Sequence, residues 1–128
     1  MSRPQTLAEA AAVALAGDKS FAHAVDEFID AFYLDRRQDR LDAAPMTTGN
    51  ALRDAWLGAV GEHLARRWDF QIPPWTDRPQ HFKLSTPAFF PPSVLLQAYL
   101  YFESPLAFRR RLIFTMPEPL QRARFPRK

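Results

Sequence analysis

The amino-acid sequence predicts an all-α fold, a compact bundle of about five to six helices whose C-terminal half is proline-rich and irregular. Apolar residues recur at spacings of three and four in the first half of the chain, which is typical of amphipathic helices. Ten of the twelve prolines lie between Pro73 and Pro126, so long helices cannot run through the second half. We expect a single domain, because 128 residues with 47% hydrophobic content can form one core.

The first two helices are predicted from a capping pattern and from an apolar face. Thr6 and Glu9 have the spacing of a capping box, and Gly17 favours a left-handed helix end. Five apolar residues share one face of the second helix: Phe21, Val25, Phe28, Ile29 and Phe32. The charged segment 35–42 either continues this helix or forms a short helix of its own before Pro45.

A third helix is predicted to begin near Thr48 or Asn50, both of which can cap a helix, and to end near Arg67. Its apolar stripe consists of Leu52, Trp56, Ala59, Val60 and Leu64. Residues 94–102 are apolar at nearly every position, so their period does not distinguish a buried helix from a buried strand. We favour a helix, because a lone strand would have no pairing partner.

Three consecutive arginines follow a helix-start signal. Ser104 can cap a helix, and Pro105 suits its first position. On a helix, Arg109, Arg110 and Arg111 point in three directions, because neighbouring residues are about 100° apart. We therefore predict a short helix from Pro105 to about Arg111, followed by an apolar segment of different orientation. At most two arginines can then face one ligand, and the third is expected to bond helix carbonyls or an internal carboxylate such as Glu103 or Asp69.

The net charge of +3 hides an asymmetry between the two halves of the chain. Residues 1–64 contain six Lys or Arg and ten Asp or Glu, whereas residues 65–128 contain eleven Lys or Arg and four Asp or Glu. Within one domain we therefore distinguish an acidic helical half, 1–67, from a basic, proline-rich half, 68–128. Such a basic half can steer an acidic protein or a phosphate backbone toward the chain.

The sequence lacks the motifs that are typical of several functional classes. The chain has no cysteine, no glycine-rich phosphate loop and no metal-ligand spacing among His23, His63 and His81. His23 and Glu27 lie four apart, a spacing that also makes ordinary surface contacts. No apolar run approaches the roughly 20 residues of a membrane-spanning helix. We expect a cytoplasmic, non-enzymatic protein without a metal or cofactor; an enzyme would require Asp26, Asp30, Glu62 and His63 to converge in one cleft.

Aromatic residues and cations alternate between residues 66 and 90. The aromatic residues are Trp68, Phe70, Trp75, Phe82, Phe89 and Phe90, and the cations are Arg66, Arg67, Arg78 and Lys83. Core packing is the favoured interpretation, because a proline-rich segment must bury such rings to be held in place. Stacking of single-stranded bases and a partner-facing surface remain alternatives.

Four segments between about Phe28 and Arg122 resemble a bacterial family of short proteins, which also occurs as the C-terminal part of helix-turn-helix regulators. These segments are EFIDAFY, RLDAAPMTTGNALRDAWLGAVGEHLARR, IPPWTDRPQHF and ESPLAFRRRLIF. The matching positions are Glu62, His63, Leu64, Pro74, Trp75, Ser104, Pro105, Ala107, Phe108, Arg109, Arg110 and Arg111. The first 45 residues depart from the pattern of such regulators, because they show no convincing DNA-reading helix-turn-helix.

The resemblance implies that the chain is an antitoxin-like partner of a small nucleotidyltransferase-like toxin, with no catalytic role for the matching residues. We expect the basic half to cover an acidic site on that protein. The expected partner-binding residues are Arg109, Arg110, Arg111, Trp75, Arg78, Arg66 and Arg67. The alternative is a nucleic-acid-binding regulatory protein that uses the same basic half on phosphates.

Overall fold

The computed structural model describes residues 3–122 of the chain. The chain ends, which include Arg124, Arg127 and Lys128 of the predicted basic half, lie outside the described residues. Helix α1 (Leu7–Leu15) packs against α2 (Phe21–Leu34). The amide of Glu9 donates to Thr6 Oγ1 at 3.0 Å, as the capping box predicts. The glutamate carboxylate accepts from the amide of Gln5 instead of that of Thr6.

Two further helices follow in the N-terminal half. The charged segment 35–42 forms a short helix of its own, α3 (Asp39–Asp42). Helix α4 (Ala51–Arg67) begins after Asn50, whose side chain accepts from the amide of Arg53 at 3.0 Å. Helix α4 is buried over most of its circumference between residues 54 and 65, so it is the central helix around which the rest of the chain packs.

The proline-rich segment after α4 forms two short 3-10 helices, Pro74–Asp77 and Pro79–His81, which pack directly on α4. Each begins with a proline, whose fixed φ suits the first position of a helix and whose missing amide would have no partner there. The prolines thus limit the helices to one turn and still favour compact structure.

The predicted helix at 94–102 is confirmed as a 3-10 turn (Val94–Leu96) that runs into α5 (Gln97–Glu103). A four-residue helix, α6 (Leu106–Arg109), follows. The cap predicted at Ser104 is wrong, because its side chain makes no capping bond to α6. The Ser104 hydroxyl accepts from the amide of Thr115 at 2.8 Å and so ties the end of α5 to the segment after α6.

The all-α prediction is too narrow, because the mostly helical structure also contains a small parallel sheet. Strand β1 (Ala88–Phe90) pairs with β2 (Ile113–Thr115), with Phe89 opposite Phe114. The residue before β2, Leu112, has a φ of +64°, a left-handed conformation that redirects the chain after α6. The apolar segment after the arginines therefore takes a new direction, as predicted.

One cluster of buried apolar side chains joins both halves of the sequence. It includes Leu7, Phe28 and Leu64 from residues 1–67, and Trp75, Phe108 and Ile113 from residues 68–122. Among residues 3–122, no helix is long and apolar enough to span a membrane.

Candidate functional site

Two charged side chains in the described residues are completely buried, and one of them is Arg111. Its side chain is fully buried, yet it donates to three backbone carbonyls: His81 at 3.0 Å, Thr76 at 2.7 Å and Ala107 at 2.7 Å. Its Nη1 also donates to Glu62 Oε1 at 2.7 Å. Because buried polar groups are costly when unpaired, this dense bonding allows a cation to replace an apolar residue in the core.

Glu62 collects three arginines on its two oxygens. Its side chain is fully buried; Oε1 accepts from Arg111, and Oε2 accepts from Arg66 Nε at 2.7 Å and from Arg110 Nη1 at 2.6 Å. We call Glu62, Arg66, Arg110 and Arg111 the Glu62 cluster. It joins α4 to the end of α6, and through the carbonyls bound by Arg111 it also holds the two proline-led 3-10 helices.

Two glycines on α4 make room for the Glu62 cluster. A Cβ atom on Gly58 would lie 2.1 Å from the carbonyl oxygen of His81 and 2.9 Å from Arg111 Nε. A Cβ atom on Gly61 would lie 2.9 Å from the ring of Trp75. Only glycine allows such close approach of backbone and ring to a helix. The sequence of α4 therefore permits the chain from 75 to 81 to lie against it.

The electrostatics of the cluster favour ionised groups. Burial alone would raise the pKa of Glu62, but hydrogen bonds from Arg111, Arg66 and Arg110 lower it below its usual value. Burial lowers the pKa of Arg111, which Glu62 opposes by bonding and charge. An arginine stays protonated throughout the accessible pH range. The cluster thus consists of three cations around one carboxylate. A second carboxylate lies at its edge, because Oδ1 of the exposed Asp77 is 3.6 Å from Arg110 Nη2.

Two of the expected partner-binding residues are not on the surface. The guanidinium of Arg111 donates only to groups inside the protein. Trp75 is buried against α4, and its indole Nε1 donates to the carbonyl of Leu41 at 2.9 Å. The expectation that these side chains face a partner is therefore wrong. The expectation that one arginine of the triplet has internal partners is confirmed, but its carboxylate is Glu62, not Glu103 or Asp69.

The other expected residues lie at or near the surface. Arg78 and Arg109 are exposed, and the side chains of Arg66 and Arg110 are 42% and 32% exposed although both bond Glu62. Arg67 is half-buried, with its guanidinium 4.7 Å from the ring centre of Trp68. The structure thus brings Arg66 and Arg110 together on one carboxylate oxygen. Arg109, the residue before Arg110, stays on the surface.

An exposed apolar surface precedes the arginines. We call it the 94–106 surface; it consists of Val94, Leu95, Tyr99, Tyr101, Phe102 and Leu106. Leu95 is 95% exposed, Val94 is 81% exposed and Phe102 is 73% exposed. On helix α5, Leu100 is the only buried residue. The expectation that residues 94–102 are buried is therefore wrong, because α5 leaves most of its circumference without a neighbour.

The aromatic residues between 68 and 90 follow the core-packing interpretation in part. Trp75 is fully packed, and Trp68, Phe70, Phe82 and Phe89 are half-buried, whereas Phe90 is exposed. Trp68 lies under the guanidinium of Arg36 at 4.1 Å as well as that of Arg67, so cations already cover this ring. These contacts leave little of the Trp68 ring free for a base to stack on.

The four residues proposed for an enzyme lie in separate clusters. Asp26 and Asp30 both bond Arg122, at 3.1 and 3.0 Å, whereas Glu62 bonds three other arginines. His63 packs against Phe108, and its burial lowers its pKa to about 4. Within residues 3–122, no three His, Cys, Asp or Glu side chains are grouped so that they could hold a metal ion.

Comparisons with models of protein families, with curated proteins and with solved structures found no match to this chain. The resemblance to antitoxin-like proteins therefore rests on the sequence segments alone, and the functional argument depends on the geometry of the chain itself.

Proposed function

We propose that this chain is a protein-binding module and that its partner docks on the 94–106 surface. The observation that carries the proposal is the exposure of six large apolar side chains along one continuous stretch of chain. Folded monomers rarely expose large contiguous apolar patches, and such patches typically mark interaction sites. Phe102 and the two tyrosines are residue types that commonly contribute to binding at interface centres.

One cation, Arg109, borders the 94–106 surface and is the basis for proposing the charge of the partner. Arg109 Nη1 lies 3.4 Å from the carbonyl oxygen of Phe102, so its guanidinium borders the apolar side chains. The half-exposed Arg110 follows immediately, with Arg66 bonded to the same carboxylate oxygen. We therefore propose a partner with an apolar patch bordered by carboxylates, because complementary charge steers association and fixes orientation.

The resemblance described above suggests a specific form of this proposal. The partner would be a nucleotidyltransferase-type toxin, and the chain would act as an antitoxin by covering its acidic site. The exposed Arg109 and the half-exposed Arg110 and Arg66 support such a role, whereas Arg111 and Trp75 would act indirectly by holding the fold.

The test is co-expression of this chain with the product of the adjacent gene, followed by purification at low ionic strength and measurement of the dissociation constant. Phe102→Ala is expected to weaken binding about tenfold, as truncation of an interface aromatic does. Leu34→Ala is the matched control, because Leu34 is 64% exposed but lies at the end of α2. Failure to form a complex would contradict the toxin form of the proposal, and equal losses in the two variants would contradict the proposed surface.

The nucleic-acid alternative has less support, because the arginine triplet does not form one free basic patch. Arg110 and Arg111 bond Glu62, and Arg122 bonds Asp26 and Asp30. A gel shift with duplex DNA at low salt would nevertheless favour this alternative. Its affinity should then fall by about 0.9 log units per log unit of salt for each phosphate contacted.

A further inference from the structure

A groove of about 350 Å³ lies between α2, the first half of α4, the end of β1 and the chain at residues 119–120. Its lining is mainly apolar and includes Phe21, Val25, Leu52, Trp56 and Phe90. The volume is at the lower end of the range for small-molecule sites, which are typically apolar clefts with a few polar groups. The groove does not include any residue of the Glu62 cluster or of the 94–106 surface.

Two charged residues line the groove, and only one of them is paired. Asp26 bonds Arg122 at 3.1 Å, so its charge is balanced. Arg53 has its guanidinium over the ring of Phe21, 5.4 Å from the ring centre, and forms no ion pair with any carboxylate in residues 3–122. The groove therefore combines an apolar interior with one unbalanced positive charge on its wall.

We propose that this groove binds a small amphipathic carboxylate, a molecule with a short acyl or aromatic body and one carboxylate group. The apolar body would displace water from Trp56, Leu52 and Phe90, which contributes free energy in proportion to the apolar area buried. The carboxylate would accept hydrogen bonds from the Arg53 guanidinium, whose planar fork matches carboxylate geometry. A cationic or uncharged molecule of the same shape would gain only the binding free energy that comes from burying its apolar body.

The first experiment compares three probes of equal chain length on the full chain: octanoate, octylammonium and 1-octanol. Isothermal titration calorimetry measures affinity and stoichiometry, and tryptophan fluorescence reports on Trp56 in the groove wall. Octanoate is expected to bind saturably at one site and up to about fivefold more tightly than octylammonium, the range for one exposed charge pair. Absence of saturable binding, or equal affinity for the anionic and cationic probes, would overturn the proposal.

Three variants locate the octanoate site. Arg53→Gln should remove the preference for octanoate, whereas Arg78→Gln, which removes an exposed cation outside the groove lining, should retain it. Ala22→Phe places a ring at an exposed helical position on the groove wall and should weaken all three probes. Equal effects of the two arginine substitutions would show a general charge effect, and full affinity in Ala22→Phe would place the site elsewhere; either result overturns the proposal. Because the groove shares no residue with the proposed partner surface, these outcomes are independent of the protein-binding test.

Discussion

The Glu62 cluster and the 94–106 surface invert the usual distribution of residues. At the Glu62 cluster, a carboxylate and a guanidinium are completely buried. At the 94–106 surface, Leu95 is 95% exposed and Phe102 is 73% exposed. The two regions are joined by α6, which begins at the exposed Leu106 and ends two residues before the buried Arg111. In these two regions, therefore, burial follows from which elements pack against α4 more than from residue type, whereas the core elsewhere is apolar.

Both regions carry an unfavourable free energy, from buried charge in one and exposed apolar area in the other, and they differ in what offsets it. At the Glu62 cluster, removal of charges from water is offset within the chain by four short bonds to Arg111 and two more to Glu62. At the 94–106 surface, the other described residues leave most of the area of Val94, Leu95 and Phe102 uncovered. A protein partner would recover the free energy of burying them, at roughly 25 cal/mol for each Å² of apolar area. The first region stabilises the fold, and we propose that the second stabilises a complex.

The largest expected effect on stability comes from Arg111→Met. This substitution keeps much of the side-chain volume but leaves the Oε1 of Glu62 and three carbonyls without their donor. Removal of one partner from a buried ion pair typically costs about 3 to 5 kcal/mol in the free energy of unfolding. Urea denaturation measures the loss. Arg109→Met, two residues away on the surface, is the control and should change stability by less than about 0.5 kcal/mol; similar losses in the two variants would contradict the internal role of Arg111.

A second effect concerns pH and acts through His63 and then Glu62. The pKa of His63 is lowered from 6.5 to about 4 by burial and by Arg67, so only the unfolded chain takes up a proton between these values. Stability is therefore greatest above about pH 6.5 and decreases as the pH falls toward 4, by up to about 3 kcal/mol. Below its usual value of 4.5, Glu62 adds a further loss, because its pKa is also lowered in the folded chain.

Two variants separate these contributions in urea denaturation at several pH values. His63→Phe keeps a ring beside Phe108 and should flatten the upper part of the profile, between about pH 6.5 and 4.5. Glu62→Gln should be less stable at neutral pH and should lose less stability than the unmodified chain below about pH 4.5. An unchanged upper slope in His63→Phe would show that another group carries the pH dependence.

Gly58→Ala should have an intermediate effect. Alanine is the better helix former by about 1 kcal/mol, so an open site would be stabilised. At position 58, however, the new Cβ atom would lie 2.1 Å from the backbone oxygen of His81, and the contact between α4 and the 3-10 helices must open. We expect a net loss of about 1 to 3 kcal/mol, measured by thermal or urea unfolding. A gain in stability would show that this contact is looser than the geometry indicates.

The sequence predicted those parts of the fold that depend on neighbouring residues. Thr6 and Asn50 cap helices as expected, because a capping bond needs only a side chain and an amide three residues away. The sequence does not predict the sheet, because its strands are three residues long and paired residues such as Phe89 and Phe114 are 25 positions apart. Neither strand has enough length for a period, and each pairs only when the intervening helices bring them together.

The candidate sites could be predicted less well, because both depend on tertiary contacts. Arg66, Arg109 and Arg110 lie at or near the surface, as a partner-binding role would require, but the internal carboxylate expected for one arginine of the triplet is neither Glu103 nor Asp69. Glu62 lies 49 positions from Arg111, and the only local signal was its place on α4 between Gly58 and Arg66. The 94–106 surface could not be predicted as exposed, since an apolar helix is buried only if other elements cover it.

Leu95→Ser should have the smallest effect on the free energy of unfolding of the isolated chain. It therefore tests most directly whether the exposed side chains of the 94–106 surface differ from buried ones. Leu95 is 95% exposed, so its replacement removes almost no buried area and should change the free energy of unfolding by less than about 0.5 kcal/mol. The same change at the fully buried Leu100 of α5 should cost several kcal/mol, because it leaves a cavity and buries a hydroxyl. If urea denaturation gave large losses for both variants, the side of α5 that carries Leu95 would be part of the core. If only Leu100→Ser is destabilised, Leu95 contributes little to the fold of the isolated chain, as the proposed partner surface requires.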